Sequence, residues 1–417
     1  MKLMSHETAE KAHRPNTTGA SPFSPPFSLT PAVMLLVSTV LYMSPALWAE
    51  APMALGYKNF VLVPFDPKTR LIAFIIVACM CVVASFRWKE LNLHHVKAIP
   101  HERYVLLFGF TILLIYTIST PELFQGNKTV TLEATNKIHA AFYNICILMV
   151  VSFSIDRNIH RIVPALGAIG LLIAIYIGHR SYAAVALISI AFIMFRNRSL
   201  LKVKLRWYFA AASTLLVLAL YKSIYIAVKI GDYAYAIAAL QSNKIGQSIQ
   251  TGMEQFLIFR VFDMISSTDF QAQCTNLKYL PLFFVPFTDS LVNYQTCSTN
   301  AQIQSTLFSY YTGGVASNIW GEFLSVLGYA GLFVVPAVLL GLARITEWAL
   351  RRVSSPLLGA GLIIAVVQLT FYVQRNDLMV AITLAKRGIL LAAGLYLMAW
   401  VLAYFTSPGM RVHAGAR

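Results

Sequence analysis

Apolar and polar residues alternate along this chain in blocks rather than at the spacing of single helices or strands. Mostly apolar runs occupy residues 31–49, 71–86, 104–119, 139–155, 162–177, 181–195, 207–228, 323–343, 356–373 and 378–405. A membrane-crossing helix needs about 17–25 mostly apolar residues, so each run predicts a span, with the shorter ones recruiting flanking residues. One long segment between the runs, residues 229–322, is too polar for lipid. The pattern therefore predicts an all-α polytopic membrane protein of about ten transmembrane helices with one large aqueous loop. Its divisions are a disordered tail over 1–30, spans 1–7 over 31–228, the loop over 229–322, spans 8–10 over 323–405 and a second tail over 406–417.

Composition agrees with that class: 58% of residues are hydrophobic, 12% are charged and the mean hydropathy is +0.65, far from the make-up of a soluble domain. The net charge of +16 first suggests a nucleic-acid partner, but the cations fall in short clusters between apolar runs, and no aromatic-interleaved basic face exists. They instead orient the chain. Arg87, Lys89, Lys97 and Arg103, then Arg157 and Arg161, then Arg196, Arg198, Lys202, Lys204 and Arg206, then Arg344, Arg351 and Arg352 occupy alternate loops. Short cytoplasmic loops carry an excess of such residues. Both termini are then expected in the cytoplasm and the long loop in the periplasm or exterior.

In an oxidising compartment the two loop cysteines, Cys274 and Cys297, are expected to pair, the alternative being two free thiols. Neither has the spacing partners of a zinc site, and no metal or cofactor is expected. Phosphate-binding glycine loops, HExxH and GxSxG are absent from the sequence, which leaves nucleotide chemistry unsupported.

Charge at membrane depth carries the chemistry. Arg180 lies in the Gly178-His-Arg turn between two spans. Arg375 stands in Gln374-Arg-Asn-Asp377, with Lys386 and Arg387 further along the last span. Arg260 opens the long loop. One such arginine is ordinarily a headgroup anchor; several from separate helices form guanidinium forks suited to a diphosphate. Glu322, directly before a span, is either a desolvated proton acceptor or a carboxylate at a helix amino terminus. Asp263 is a further candidate base, as is His179, which alternatively donates as a neutral imidazole or serves only as a turn residue. Tyr310, Tyr311 and Trp320 are either sugar-stacking faces or interfacial aromatics.

From residue 71 to residue 405 the chain resembles the O-antigen polymerases of the Wzy type, the oligosaccharide repeat-unit polymerases. The carriers are Gly178-His-Arg-Ser181, Arg260, Tyr279-Leu-Pro-Leu-Phe-Phe-Val-Pro286, Ser317-Asn-Ile-Trp-Gly-Glu322, Leu327-Gly-Tyr-Ala-Gly331 and Gln374-Arg-Asn-Asp-Leu378, in that order. The resemblance implies an inner-membrane, metal-independent glycosyltransferase of GT-C-like architecture. Such an enzyme joins repeat units carried on undecaprenyl diphosphate at the periplasmic face, alongside a flippase and a chain-length-regulating co-polymerase. The arginines would hold the donor diphosphate, and Glu322, His179 or Asp263 would deprotonate the acceptor hydroxyl. An O-antigen ligase acting on lipid A core shares much of this pattern. A lipid-linked-oligosaccharide flippase is the alternative of another class, but it would be expected to show two repeated halves, which the sequence lacks.

Overall fold

The computed structural model describes residues 23–25, 27–48, 50–54, 60–93, 95–125, 128–210, 213–214, 217, 231–234, 254–274, 285, 298–309, 318–375 and 377–406. They are mostly helical. In chain order the helices are α1 (Pro31–Met43), α2 (Pro67–Ala84), α3 (Glu102–Ile118), α4 (Lys128–Ala134), α5 (Lys137–Ile155), α6 (Ile162–Ile177) and α7 (Arg180–Phe195). Then come α8 (Glu254–Ser267), α9 (Thr299–Leu307), α10 (Ile319–Leu327), α11 (Gly331–Leu350), α12 (Pro356–Thr370) and α13 (Leu378–Thr406).

Among the described residues, four helical segments are long and apolar enough to cross a membrane: Pro67–Ala84, Lys137–Ile155, Ile319–Leu350 and Leu378–Thr406. Shorter apolar helices occupy Pro31–Leu47, Ile162–Ile177, Arg180–Phe195 and Pro356–Thr370. Large apolar side chains such as Leu71, Phe108, Leu172 and Phe333 project from these helices and are more than half exposed. An apolar belt of that size in water would be an aggregation liability, whereas in lipid it meets its own kind.

Local chemistry sets several helix starts. Thr30 accepts from Val33 N ahead of Pro31 (3.2 Å), Asp66 accepts from Lys68 N ahead of Pro67 (2.7 Å), and Ser355 accepts from Leu357 N ahead of Pro356 (3.1 Å). Each combines a side-chain cap with proline at the first helical position. Asn136 and His139 form a reciprocal capping box at α5.

Two features depart from the expected plan. The segment between the first two helices forms an antiparallel hairpin, β1 (Glu50–Ala54) with β2 (Phe60–Pro64), in the register Glu50 to Pro64 and Ala54 to Phe60. The eighth expected span, 323–343, is not continuous: Gly328 takes φ +58 between α10 and α11, a conformation open to glycine and strained for most other residues. The chain there turns from a short amphipathic helix into a longer apolar one.

Helix α12 is the hub. Leu357, Ile363, Ile364 and Val366 pack into a core shared with α3, α5, α6 and α7, while Ala365 and Leu369 join a second core with α1, α2, α8, α10 and α11. Across the α12–α13 seam, a Cβ on Gly361 would stand 2.7 Å from Ala392 Cβ, the close small-residue packing common between membrane helices.

The loops at one end of this bundle are knitted together. Lys97 N donates to Ser354 O, Ala98 N to Asp156 and Leu91 N to Asn197, while Ser355 Oγ donates to Glu102. At the centre lies a fully buried ion pair, Arg196 Nε to Glu347 Oε1 at 2.8 Å, with Arg196 also donating to Lys89 O and Ser24 Oγ. Residues 23–25 and 27–30, expected within the disordered tail, run against this surface, bridging Lys89 and Ser199. The basic clusters read from alternate loops therefore share one end. Helices α8 and α10, the hairpin and the turn before α13 lie at the other.

Candidate functional site

The second end is built around the first turn of α7. Helix α6 closes on Gly178 at φ +113, and His179 N reaches back to Ala174 O at 2.8 Å. This glycine-dependent cap reverses the chain within two residues, so Arg180 begins α7 directly. The His179 ring is 5.1 Å from that of Tyr143, Tyr143 is 4.8 Å from Tyr182, and His179 Nε2 lies 3.2 Å from Thr135 Oγ1. Tyr143 is wholly buried, and its hydroxyl makes no hydrogen bond among the described residues.

Tyrosines connect this turn to the last two helices. Arg375 Nη1 donates to the Tyr372 hydroxyl at 2.6 Å, with the guanidinium 5.7 Å from the Tyr372 ring centre. Tyr372 and Arg387 are both within electrostatic reach of Tyr182, two residues beyond Arg180. Arg375 and Arg387 are thus tied to one tyrosine-lined neighbourhood, Arg375 through Tyr372 and Arg387 through Tyr182, while Arg180 opens the helix that carries Tyr182. All three are half-buried. Lys386, on the next position of α13, donates to Val285 O at 3.3 Å.

Arg260 lies elsewhere. Only 3% exposed, it donates to Asp263 Oδ2 at 2.7 Å and to the carbonyls of Val63 (2.6 Å) and Pro64 (3.0 Å), and it covers the Phe65 ring at 4.1 Å. A guanidinium so engaged fastens α8 to the hairpin, and it does not join the other three. Asp263 also accepts from Asp66 N at 3.0 Å. Burial raises its carboxyl above the ordinary aspartate range, opposed by the Asp66 N–H and by Arg260. Both its oxygens are engaged, an arrangement for anchoring rather than for collecting a proton.

Glu322 is 2% exposed. Asn318 caps α10 by accepting from Gly321 N at 2.7 Å, which turns Glu322 inward, where its Oε2 accepts from Leu378 N at 2.7 Å. The carboxylate therefore does serve a helix amino terminus, but that of α13 rather than its own. Asp377 is its electrostatic neighbour; it caps α13 through Val380 N at 2.9 Å and faces Asn300 Nδ2 at 3.4 Å. Burial holds the Asp377 carboxyl above its usual range. Neither carboxylate forms an ion pair among the described residues.

Trp320 is 1% exposed in the second core, so its ring has no free face for a sugar, which corrects that expectation. Its position on the inward side of α10, next to Gly321, is the reason. Tyr310 and Tyr311 lie outside the described residues. Cys274 is disulfide-bonded, whereas Cys79, Cys81 and Cys146 are free; the expected partner, Cys297, lies outside the described residues. Gln302 of α9 grips Cys274 from both sides, accepting from its N–H at 3.3 Å and donating to its carbonyl at 2.8 Å.

Sequence reasoning passed over Tyr182, Tyr372 and Asp377 as binding or structural partners. The first two stand beside the arginine motifs, and Asp377 closes Gln374-Arg-Asn-Asp377; proximity in the chain was the available signal. Among the described residues no group of three or more His, Cys, Asp or Glu side chains could hold a metal. No family model, curated protein or solved structure matches this chain.

Proposed function

We propose that this protein is an inner-membrane polysaccharide polymerase of the O-antigen type. In this reading about ten spans in a GT-C-like arrangement place both termini in the cytoplasm and the 229–322 loop in the periplasm. The substrate is an oligosaccharide repeat unit on undecaprenyl diphosphate. The observation that carries the proposal is the approach of Arg375 to Tyr372 and of Arg387 to Tyr182, on the helix that Arg180 opens. Guanidinium groups form bidentate, charge-assisted hydrogen bonds, and a lipid diphosphate offers oxygens in the geometry of the guanidinium fork.

In the transfer step an acceptor hydroxyl attacks the anomeric carbon of the donor, the carbon–oxygen bond to the diphosphate breaks, and undecaprenyl diphosphate leaves with the bonding pair. The arginines stabilise charge that grows on the leaving group in the transition state, with Lys386 extending the basic surface. Among the candidate bases His179 is best placed to take the proton, being half-exposed next to Arg180. Glu322 is buried and already accepts the Leu378 N–H, and Asp263 is held by Arg260, so both act on the scaffold.

Deleting the gene and separating the surface polysaccharide by size tests the reading. Lipid A core capped with single repeats is the expected product. Uncapped core would assign a ligase, and loss of all exported glycan a flippase.

A further inference from the structure

Away from this site, at the end of the bundle that gathers the basic loops, a cavity of about 450 Å³ opens between the end of α7 and the helical residues 205–210. Arg198, Lys202, Lys204 and Arg206 line it together with Phe195 and Trp207, and no acidic residue does. Hydrogen bonds preform its walls. Leu29 N donates to Phe195 O at 3.0 Å, Leu200 N to Phe27 O at 2.9 Å, and the Tyr208 hydroxyl to Leu200 O at 2.6 Å. None of the four cations is in an ion pair among the described residues; Arg206 instead lies 5.9 Å from the Trp207 ring centre.

Four cations around one concavity repel one another, and such a surface is stabilised by an anion. Its surroundings identify the source. The apolar helix α7 ends at Phe195, and the apolar run of residues 207–228 begins at Trp207, so the cavity stands where the chain leaves lipid and where the sequence re-enters it. Leu201, Leu205 and Phe209 beside the cations are each at least 65% exposed, and Trp207 with Tyr208 supplies the aromatics of a membrane interface. A soluble anion has no use for these apolar flanks; the acyl chains of a lipid do.

We infer that this cavity is a binding site for the phosphate head group of an anionic phospholipid, with Lys202, Lys204, Arg198 and Arg206 as its cationic ligands and Leu201, Leu205 and Phe209 against the chains. The inference rests on the membrane character of the helices and is independent of the transfer chemistry proposed above.

The test uses the full-length protein in detergent, titrated with phosphatidylglycerol or phosphatidylcholine and read by native mass spectrometry. Each basic side chain near a membrane surface contributes about fivefold to attraction of an anionic lipid. The Lys202→Gln/Lys204→Gln protein should therefore bind phosphatidylglycerol roughly 25-fold more weakly, with phosphatidylcholine occupancy unchanged. Arg206→Gln, an independent single change, should weaken it about fivefold. An Arg157→Gln/Arg161→Gln protein, with the same loss of charge in another basic loop, should bind as wild type does. Equal loss in that control, or wild-type affinity in both pocket variants, overturns the site. Displacement of phosphatidylglycerol by millimolar inorganic phosphate overturns the lipid assignment in favour of a soluble phosphate.

Discussion

Glu322 Oε2 accepts the backbone N–H of Leu378 at 2.7 Å, joining residues 56 positions apart and fixing the start of α13 to α10. The first N–H groups of a helix lack intrahelical partners, and a carboxylate is the strongest neutraliser of that positive end. Arg375 and Asp377 immediately precede this junction, so Glu322 determines where the Arg375 turn sits relative to α10.

Glu322→Ala leaves the Leu378 N–H buried without an acceptor and should destabilise the protein by about 1–3 kcal/mol. Glu322→Gln keeps an acceptor oxygen and relieves the repulsion with Asp377, so it should unfold at or above the wild-type temperature. Thermal unfolding in detergent separates the two variants; an equal loss in both would show that the charge itself is required.

Arg180→Lys, Arg375→Lys and Arg387→Lys retain the charge and lose the fork. Each should slow extension of the polysaccharide ladder at least about tenfold, since a charge-assisted hydrogen bond is worth about 1.5–3 kcal/mol. Arg157→Lys should leave the ladder unchanged. Arg260→Lys should lower the unfolding temperature instead, because that guanidinium holds Asp263 and two hairpin carbonyls. Wild-type ladders from the first three proteins would remove the diphosphate site.

In the proposed transfer His179 takes the acceptor proton, a role in turnover rather than in binding. Replacing it by Gln should reduce the initial rate about 10²- to 10⁴-fold while retention of the lipid-linked donor stays near wild type. A rate within twofold of wild type in normally folded protein would move the base elsewhere.

The buried Arg196–Glu347 pair should be far more sensitive to a single change than to a double one. Glu347→Ala strands a desolvated guanidinium and should cost about 3–5 kcal/mol. Arg196→Met with Glu347→Leu removes both charges and should recover most of that loss. Urea or thermal unfolding of the two proteins gives the comparison, and similar losses in both would argue that packing, not charge, holds this end together.

Without prior reduction, alkylation followed by mass analysis should modify neither Cys274 nor Cys297. Modification of both would exclude the pairing expected from the sequence. Cys274→Ser should then cost about 2–4 kcal/mol of loop stability, and Gln302→Ala should loosen the same segment by releasing the Cys274 backbone.

Helix positions were legible because each depends on a run of apolar residues and on its immediate flanks. The sequence placed a helix over 162–177, and α6 occupies Ile162–Ile177; α7 and α13 begin within one residue of the expected starts. Caps and prolines act within four residues, a range that pattern reading covers. The hairpin was not legible, since its strands are five residues each and lie between two apolar runs of spanning length.

By itself the sequence determined the class of the protein, the approximate positions of several apolar helices and the alternation of its basic loops, all properties carried by local runs of residues. Which charges meet was decided only by tertiary packing. Arg260, Arg375 and Arg180 look alike in the chain, each an arginine beside an apolar run, yet Arg260 turns to β2 and Asp263 while Arg375 donates to Tyr372. Glu322 likewise reads as the first-turn carboxylate of its own helix until the packing of α10 against the start of α13 offers it the Leu378 N–H. The physical reason is range: a helix start answers to neighbours within one turn, whereas the partner of a buried charge is chosen by whichever distant backbone or side chain the packed helices bring within about 3 Å.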